Sequence, residues 1–278
     1  MRMLRTGRKI AVAAMIAIFA VAGGASMAQQ AGGFAVELPN VNNFVALGLG
    51  VLPDYEGSDD YTMGIGPAAL LKPWGNNRYV KLIATELSLN ILNHRNWSFG
   101  PVANYRFARK DVDDDVIAQF KDVNAALEFG GFLAWTWIGG EDPRHRLAFS
   151  GQFLQDVTGN HDGFLGTLSG RYFVPVTRPL TLSVGVAATW GSSDYMQTYF
   201  GVDAVDAGRS GLAPYSLGDG VRDVRFPLMA IFSLSPRWHL SAGGIIKVLV
   251  SDAANSPIVA VRGDDTQIIL GAGFAYAW

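Results

Sequence analysis

The chain ends Gln267-Ile268-Ile269-Leu270-Gly271-Ala272-Gly273-Phe274-Ala275-Tyr276-Ala277-Trp278. Successive side chains of an extended strand point to opposite sides. One side of this stretch therefore carries Ile268, Leu270, Ala272, Phe274, Tyr276 and Trp278. The other carries Gln267, Ile269, Gly271, Gly273, Ala275 and Ala277. A bulky apolar face that ends on an aromatic, backed by a face of mostly small residues, suits a strand with lipid on one side and a narrow lumen on the other.

The same period of two runs backwards through the chain. Leu180, Leu182, Val184, Val186, Ala188 and Trp190 alternate with Thr181, Ser183, Gly185, Ala187 and Thr189. Trp238, Leu240, Ala242, Gly244, Ile246 and Val248 alternate with His239, Ser241, Gly243 and Lys247. Strand segments are expected near 43–52, 62–72, 78–91, 97–109, 125–139, 145–157, 164–177, 180–191, 222–235, 238–251 and 266–278. Many are longer than a usual soluble strand and long enough to cross a bilayer at a tilt. Tryptophans sit near their ends, at Trp97, Trp137, Trp190, Trp238 and Trp278, as interfacial girdles do. The expected fold is all-β: a transmembrane antiparallel up-and-down barrel of about twelve strands, with ten also open. An even count is required when both termini lie on one side. The twelfth strand is therefore sought near Thr198 to Val205. That count puts loops 53–61, 206–221 and 253–265 outside, with Lys110 to Asn124 as a long periplasmic connection.

The N-terminus fits an exported chain. Arg2, Arg5, Arg8 and Lys9 precede an uncharged apolar run from Ile10 to Ala22, and Ser26-Met27-Ala28 places small residues at the −3 and −1 positions of a cleavage site. The expected division is a removed signal peptide over 1–28, a short periplasmic segment over 29–42 and an outer-membrane barrel over 43–278. No other apolar run is long enough for a spanning helix, although hydrophobic residues make up 49% of the chain. A formal charge of −2 gives no basic excess for a nucleic-acid partner. The absence of cysteine leaves no disulfide framework to look for.

Charges on a lipid-facing strand surface are costly at mid-membrane. Glu86, Arg106, Glu128, Arg171 and Lys247 all fall in the small-polar phase of their segments, so they are expected to face the lumen. There they either pair across a narrow barrel or line a path for solutes. Asp54, Glu56, Asp59 and Asp60 lack the alternating spacing of a calcium loop and read as a solvated loop in which Tyr55 and Gly57 are structural. Three of the histidines, His94, His145 and His161, fall at turns or strand ends, and His239 lies one residue beyond a turn; they read as rim residues. Neither a Gly-x-Ser-x-Gly elbow nor a His-x-x-x-His pair occurs. No catalytic, cofactor-binding or metal-binding residue is expected, and the chain is not expected to be an enzyme.

Gly271, Phe274, Tyr276 and Trp278 resemble the terminal signal read by the barrel assembly machinery, which is then an expected partner together with outer-membrane lipid. Four further stretches occur in order: Pro53-Asp54-Tyr55-Glu56-Gly57-Ser58-Asp59-Asp60-Tyr61; Gly100-Pro101 with Tyr105-Arg106 and Arg109; Tyr199-Phe200-Gly201-Val202 with Arg209-Ser210-Gly211-Leu212 and Tyr215; and Ser251-Asp252-Ala253-Ala254-Asn255-Ser256-Pro257-Ile258-Val259. Together they resemble the MipA/OmpV family of MltA-interacting outer-membrane proteins, over residues 43 to 278. The final Trp278 departs from the family's more frequent Phe but keeps an aromatic. The resemblance implies a location in the outer membrane of a Gram-negative cell. It also implies a scaffold that joins a lytic transglycosylase to a peptidoglycan synthase. The alternative is a narrow porin-like channel for small solutes; a third reading is a surface binding or adhesive protein using loops 53–61 and 206–221. For a scaffold, the expected docking segment is Lys110 to Asn124, where Val112, Asp113, Val116, Ile117 and Phe120 mix apolar and acidic side chains.

Overall fold

The computed structural model describes Leu38 and residues 41–278. Twelve antiparallel strands close into a single barrel: β1 (Phe44–Pro53), β2 (Tyr61–Leu71), β3 (Tyr79–Ile83), β4 (Glu86–Asn90), β5 (Trp97–Arg106), β6 (Ala126–Ile138), β7 (Arg146–Asp156), β8 (Phe164–Pro175), β9 (Leu180–Gly191), β10 (Gly220–Ser233), β11 (Trp238–Leu249) and β12 (Thr266–Ala277). Each strand pairs with its neighbours in sequence, and β1 meets β12 in register from Phe44↔Ala277 to Val51↔Leu270. The expected signal peptide over 1–28, and the 29–42 segment except Leu38, Val41 and Asn42, lie outside the described residues.

The alternation seen in the sequence is the alternation of the wall. Met63, Ile65, Phe99, Phe129, Leu168, Leu228 and Leu270 are exposed on the outside. Their sequence neighbours Gly64, Gly100, Glu128, Met229 and Ile269 are buried within. Aromatics cluster at both rims. Trp238, Tyr276 and Trp278 line one end, with neighbouring centroids 4.9 and 6.1 Å apart. Phe153, Phe164 and Trp190 form a chain at the other, each 5.2–5.3 Å from the next. The terminal residues serve the seam: Gly271 lies between Gly50 and Gly243, Phe274 between Leu47 and Leu240, and Tyr276 between Val45 and Trp238.

Two expectations about the strands are corrected. Residues 78–91 form two short strands, β3 and β4, joined by Ala84-Thr85. A two-residue turn shifts the phase of the alternation: Lys81 and Ile83 point inward before it, Glu86 and Ser88 after it. Ala84 takes φ +50°, a left-handed conformation that usually selects Gly or Asn, so the turn carries no residue that advertises it. Residues 198–205 form no strand; they lie in and between two short helices. The total of twelve is unaffected, but the missing turn lies upstream of where it was sought. Every connection between residue 84 and residue 198 therefore exchanges ends.

The consequence falls on Lys110 to Asn124. The connections 72–78, 91–96, 139–145, 176–179 and 234–237 are short and lie at the end where β1 starts and β12 finishes. The long connections 107–125, 192–219 and 250–265 lie together at the opposite end. Lys110 to Asn124 thus sits among the loops and not at the terminal end. At the terminal end, Leu38 enters the lumen and packs with Phe44, Phe173, Met229, Ile231, Ala275 and Ala277.

Since the seam depends on the last five residues, deleting Phe274 to Trp278 should leave the chain unassembled. The intact mature chain should sediment with membranes and migrate differently on gels before and after boiling. The truncated chain should lose the unboiled, faster species. Recovery of the intact chain as a soluble monomer would contradict the barrel.

Candidate functional site: the loop plug and the lumen

The long loops fold over the mouth of the barrel and close it in two layers. The outer layer is apolar. Connection 192–219 forms α1 (Ser193–Phe200) and α2 (Ala204–Ser210); connection 250–265 forms α3 (Ser251–Asn255) and α4 (Pro257–Ala260). These helices are short, and two of them carry side-chain caps. Asp203 accepts from the backbone N–H of Val205 and Asp206, and Gly211 at φ +75° ends α2. Ser256 caps α4, where Pro257 occupies the first turn. Tyr195, Met196, Tyr199 and Phe200 of α1 pack with Val123, Leu165, Leu217, Leu249, Ala253 and Val259. A second cluster joins Tyr55, Ile117, Phe120, Val202 and Ile258. Gly57, at φ +98°, lets loop 54–60 pass under α4: a Cβ there would lie 2.6 Å from Val259 Cγ2.

The inner layer is ionic, and Tyr195 links its parts. Its hydroxyl accepts from Arg106 Nη1 at 3.0 Å and Arg222 Nη1 at 2.6 Å, and donates to Glu56 Oε2 at 2.9 Å. Glu56 Oε1 lies 3.2 Å from Arg222 Nη1 and 3.3 Å from Lys247 Nζ. Arg106 Nε donates to Glu128 Oε1 at 2.6 Å, and Asn104 donates to Glu128 Oε2 at 2.7 Å. Arg222 pairs with Asp223 at 2.5 Å, and Arg225 Nε lies 3.1 Å from Asp223 Oδ1. A bulge in β10 makes this possible. The pairing with β9 slips between Val221 and Asp223, so two consecutive charged side chains both turn inward, as an extra residue in one strand permits.

Loop 157–163 supplies the last member. Asp156 accepts from the backbone N–H groups of Thr158, Asn160 and His161 at 2.7 Å each, and from Asp162 at 3.1 Å. That turn aims His161 into the plug. The Gly163 N–H donates to His161 Nδ1 at 3.1 Å, so the ring proton resides on Nε2, which donates to Glu128 Oε1 at 3.1 Å. Burial opposes the ionisation of Glu56, but Arg222, Lys247 and Arg106 outweigh that and hold its carboxyl well below the usual glutamate value.

Below the ionic layer lies a cavity of about 720 Å³. Glu86, Arg106, Arg171 and Lys247 line it, and Glu128 sits behind Arg106, buried to 1% exposure. Glu86 accepts from Gln152 Nε2 at 2.9 Å. The five charges expected to face the lumen all lie inside the wall, three of them in the plug. The proposed docking residues are used differently. Ile117 and Phe120 are buried in the plug, Val112 packs against them, and the Asp113 N–H donates to Asp54. Val116 is half-buried beside them. Asp114 pairs with Arg262 at 2.6 Å and Lys121 with Asp203 at 2.9 Å. As a free periplasmic docking surface, this segment is excluded by its position and its packing. The sequence reading also missed Glu56, Tyr195, His161 and the Arg222-Asp223 pair. From residues alone Glu56 reads as part of a solvated loop and His161 as a rim residue at a turn or strand end. The outward Val221 and Val224, three residues apart rather than two or four, were the available sign of the bulge.

An apolar band between aromatic girdles, short turns at one end, long loops at the other and a sheet closed on itself define a transmembrane barrel of a Gram-negative outer membrane. The family model of the MltA-interacting protein MipA matches residues 45–278. The chain belongs to that family. No curated protein matches its sequence. Among solved structures, it is similar to the NanC porin, at 11% identity and TM-score 0.45, covering 85% of this chain and all of that one. It is similar to an outer membrane channel from Pseudomonas putida F1, at 12% identity and TM-score 0.47, over 88% and 98% of the two chains. It is also similar to the translocator domain of the autotransporter NalP from Neisseria meningitidis, at 10% identity and TM-score 0.44, over 87% and 90%.

Removing the Tyr195 hydroxyl by Tyr195→Phe leaves three buried groups each short of a partner and should cost ~1–3 kcal/mol; urea unfolding of the folded barrel in detergent would register it. A carboxylate whose folded pKa is lowered adds stability above its unfolded value and loses it as pH falls through the folded one. With the ordinary value at 4.5, the melting temperature should hold from neutral pH to about 5 and fall below that. Glu56→Gln should flatten that fall; an unchanged acid limb would show that Glu56 is not its source.

Proposed function

We propose that this barrel is a membrane-anchored platform for cell-wall enzymes, holding a lytic transglycosylase and, through it, a peptidoglycan synthase. The observation that carries this reading is the plug. A mouth closed by two packed hydrophobic clusters over a buried ionic network favours a rigid support over an open path. The family description, MltA-interacting protein, points the same way. In this reading the partner meets the short turns, because short turns face the periplasm in such barrels. Those turns expose Arg78, Arg95, Arg178 and Arg237, with Trp74 among them. A basic rim with an exposed aromatic suits an acidic surface on a soluble partner.

A narrow channel is the second reading, favoured by the polar cavity beneath the plug. One experiment separates the two. Detergent extracts would be probed by pull-down with the intact protein, with a version lacking 111–122, and with a version carrying glutamate at Arg78, Arg95, Arg178 and Arg237. The platform reading expects unchanged recovery of the transglycosylase with the deletion and roughly tenfold lower recovery with the reversed rim. No recovery by the intact protein, with steady conductance in planar bilayers, would replace the platform with the channel.

A further inference from the structure

We infer that the wall carries a lateral notch between β2 and β5, and that the notch binds a long-chain membrane amphiphile from the loop-side half of the bilayer. The notch follows from the height of one hairpin. β3 and β4 have 5 residues each, against 11 in β2 and 10 in β5. β3 pairs with β2 from Ala68 to Leu71, and β4 pairs with β5 from Val102 to Asn104. At the tip the Ala84 N–H donates to the Pro67 carbonyl at 2.8 Å, and the Tyr105 N–H donates to the Thr85 carbonyl at 3.3 Å. Beyond the tip, toward the loops, the edge of β2 from Tyr61 to Gly66 has no strand beside it among the described residues. The wall there lacks the width of two strands. The 107–125 connection crosses above, where the Asp113 N–H meets Asp54.

A polar surface and an apolar one meet at this place. Alternate residues of an antiparallel strand turn their N–H and C=O groups to each side. The free edge of β2 therefore presents a short ladder of donors and acceptors, which hydrocarbon alone cannot satisfy. The margins of the notch are apolar. Met63 and Ile65 stand outward on β2 and Leu87 on β4. On the β5 side Tyr105 and Phe107 meet edge to face at 5.0 Å.

Behind the notch the hairpin tip leans into the lumen. Ala84 packs with Leu52 of β1, Ile245 of β11 and Ile269 of β12. Gly64 and Gly66, on the inner face of β2, leave room for that approach. Ala84, Ile245 and Ile269 also line the cavity. Barrel interiors are ordinarily polar, and isoleucines are poor lining for water. They are good lining for a hydrocarbon chain. A plain hydrocarbon leaves the β2 ladder unbonded, and a notch set in the lipid-facing belt is reached through the membrane. An amphiphile with a long chain and an oxygen-bearing head meets both demands: the head bonds the ladder and the chain lies against the isoleucines. The notch is at the loop end, away from the basic rim of the platform reading, so the two stand or fall separately.

The test uses the full mature chain in liposomes with palmitate that carries a diazirine at the end of its chain. After irradiation, adducts should map to the inward Ile245 or Ile269. Unlabelled palmitate should suppress these adducts about tenfold and hexadecane should not, because the alkane has no head to bond the edge. A phosphatidylcholine bearing the same diazirine chain identifies the source. Adducts from it assign a membrane lipid, and adducts from the fatty acid alone assign a free single chain. Ile245→Gln should lower the inward adduct about tenfold, since the chain then meets an amide. Ile245→Leu, which keeps volume and polarity, should stay within about twofold of the unaltered chain. Boiled-versus-unboiled gel migration confirms that each variant is closed. No adduct on an inward residue, equal competition by hexadecane, or equal loss in both variants would overturn the notch as a binding site.

Discussion

Inside hydrocarbon a backbone N–H or C=O has no water to turn to, and each one left unpaired costs several kcal/mol. Most features of this chain follow from that. A sheet meets the requirement only if its first strand finds its last, and β1 and β12 do so across eight residue pairs. Closure fixes an even strand number, places the two ends of the barrel sequence on one side, and collects the long connections on the other. It also divides side chains into those that meet lipid and those that meet the lumen, which is why glycines and charges share the inner face.

Once the wall is closed, the inner charges need partners, because isolated ions in a low-dielectric interior are unfavourable. The solution is drawn from the loops. Glu56 hangs from the β1–β2 connection and meets cations from β10 and β11. Tyr195 comes from a helix in the longest connection and links that site to Arg106 on β5. Neither residue belongs to the wall, yet together they tie opposite walls to one another. The charges of the strands and the shape of the loops are parts of one arrangement, and the apolar layer above keeps water away from it.

How much of this could be read from residues alone depends on whether the signal was periodic. The wall was legible in strands such as β9, β11 and β12, because period-two alternation is a direct consequence of which side meets lipid. The Ala84-Thr85 turn was not, because neither residue is a turn former. Its trace was a change of phase, with the aliphatic Val80 and Leu82 on even positions before it and Leu87 and Leu89 on odd positions after. That one phase change decides which end of the barrel Lys110 to Asn124 occupies. The plug was illegible for another reason. Glu56 lies in an acidic loop and His161 in a polar one, and a run of polar residues gives no sign that one of them turns inward. The inward expectation for strand charges follows from the cost of a lipid-facing alternative; loop charges face no such restriction.

The plug also bears on the order of events during assembly. Lys247 and Glu56 are 191 residues apart in sequence, and Gln267 reaches the Tyr55 carbonyl across 212. Contacts between such distant segments form after the intervening chain has been ordered. The ionic layer draws on β5, β6, β10 and β11 at once, so it is completed after those strands stand side by side in the wall. Interactions that arise late, past the rate-limiting step, do little to hasten folding and mainly slow its reversal. Glu56 and Tyr195 thus act as a latch set at the end of insertion. They hold the closed sheet against opening again.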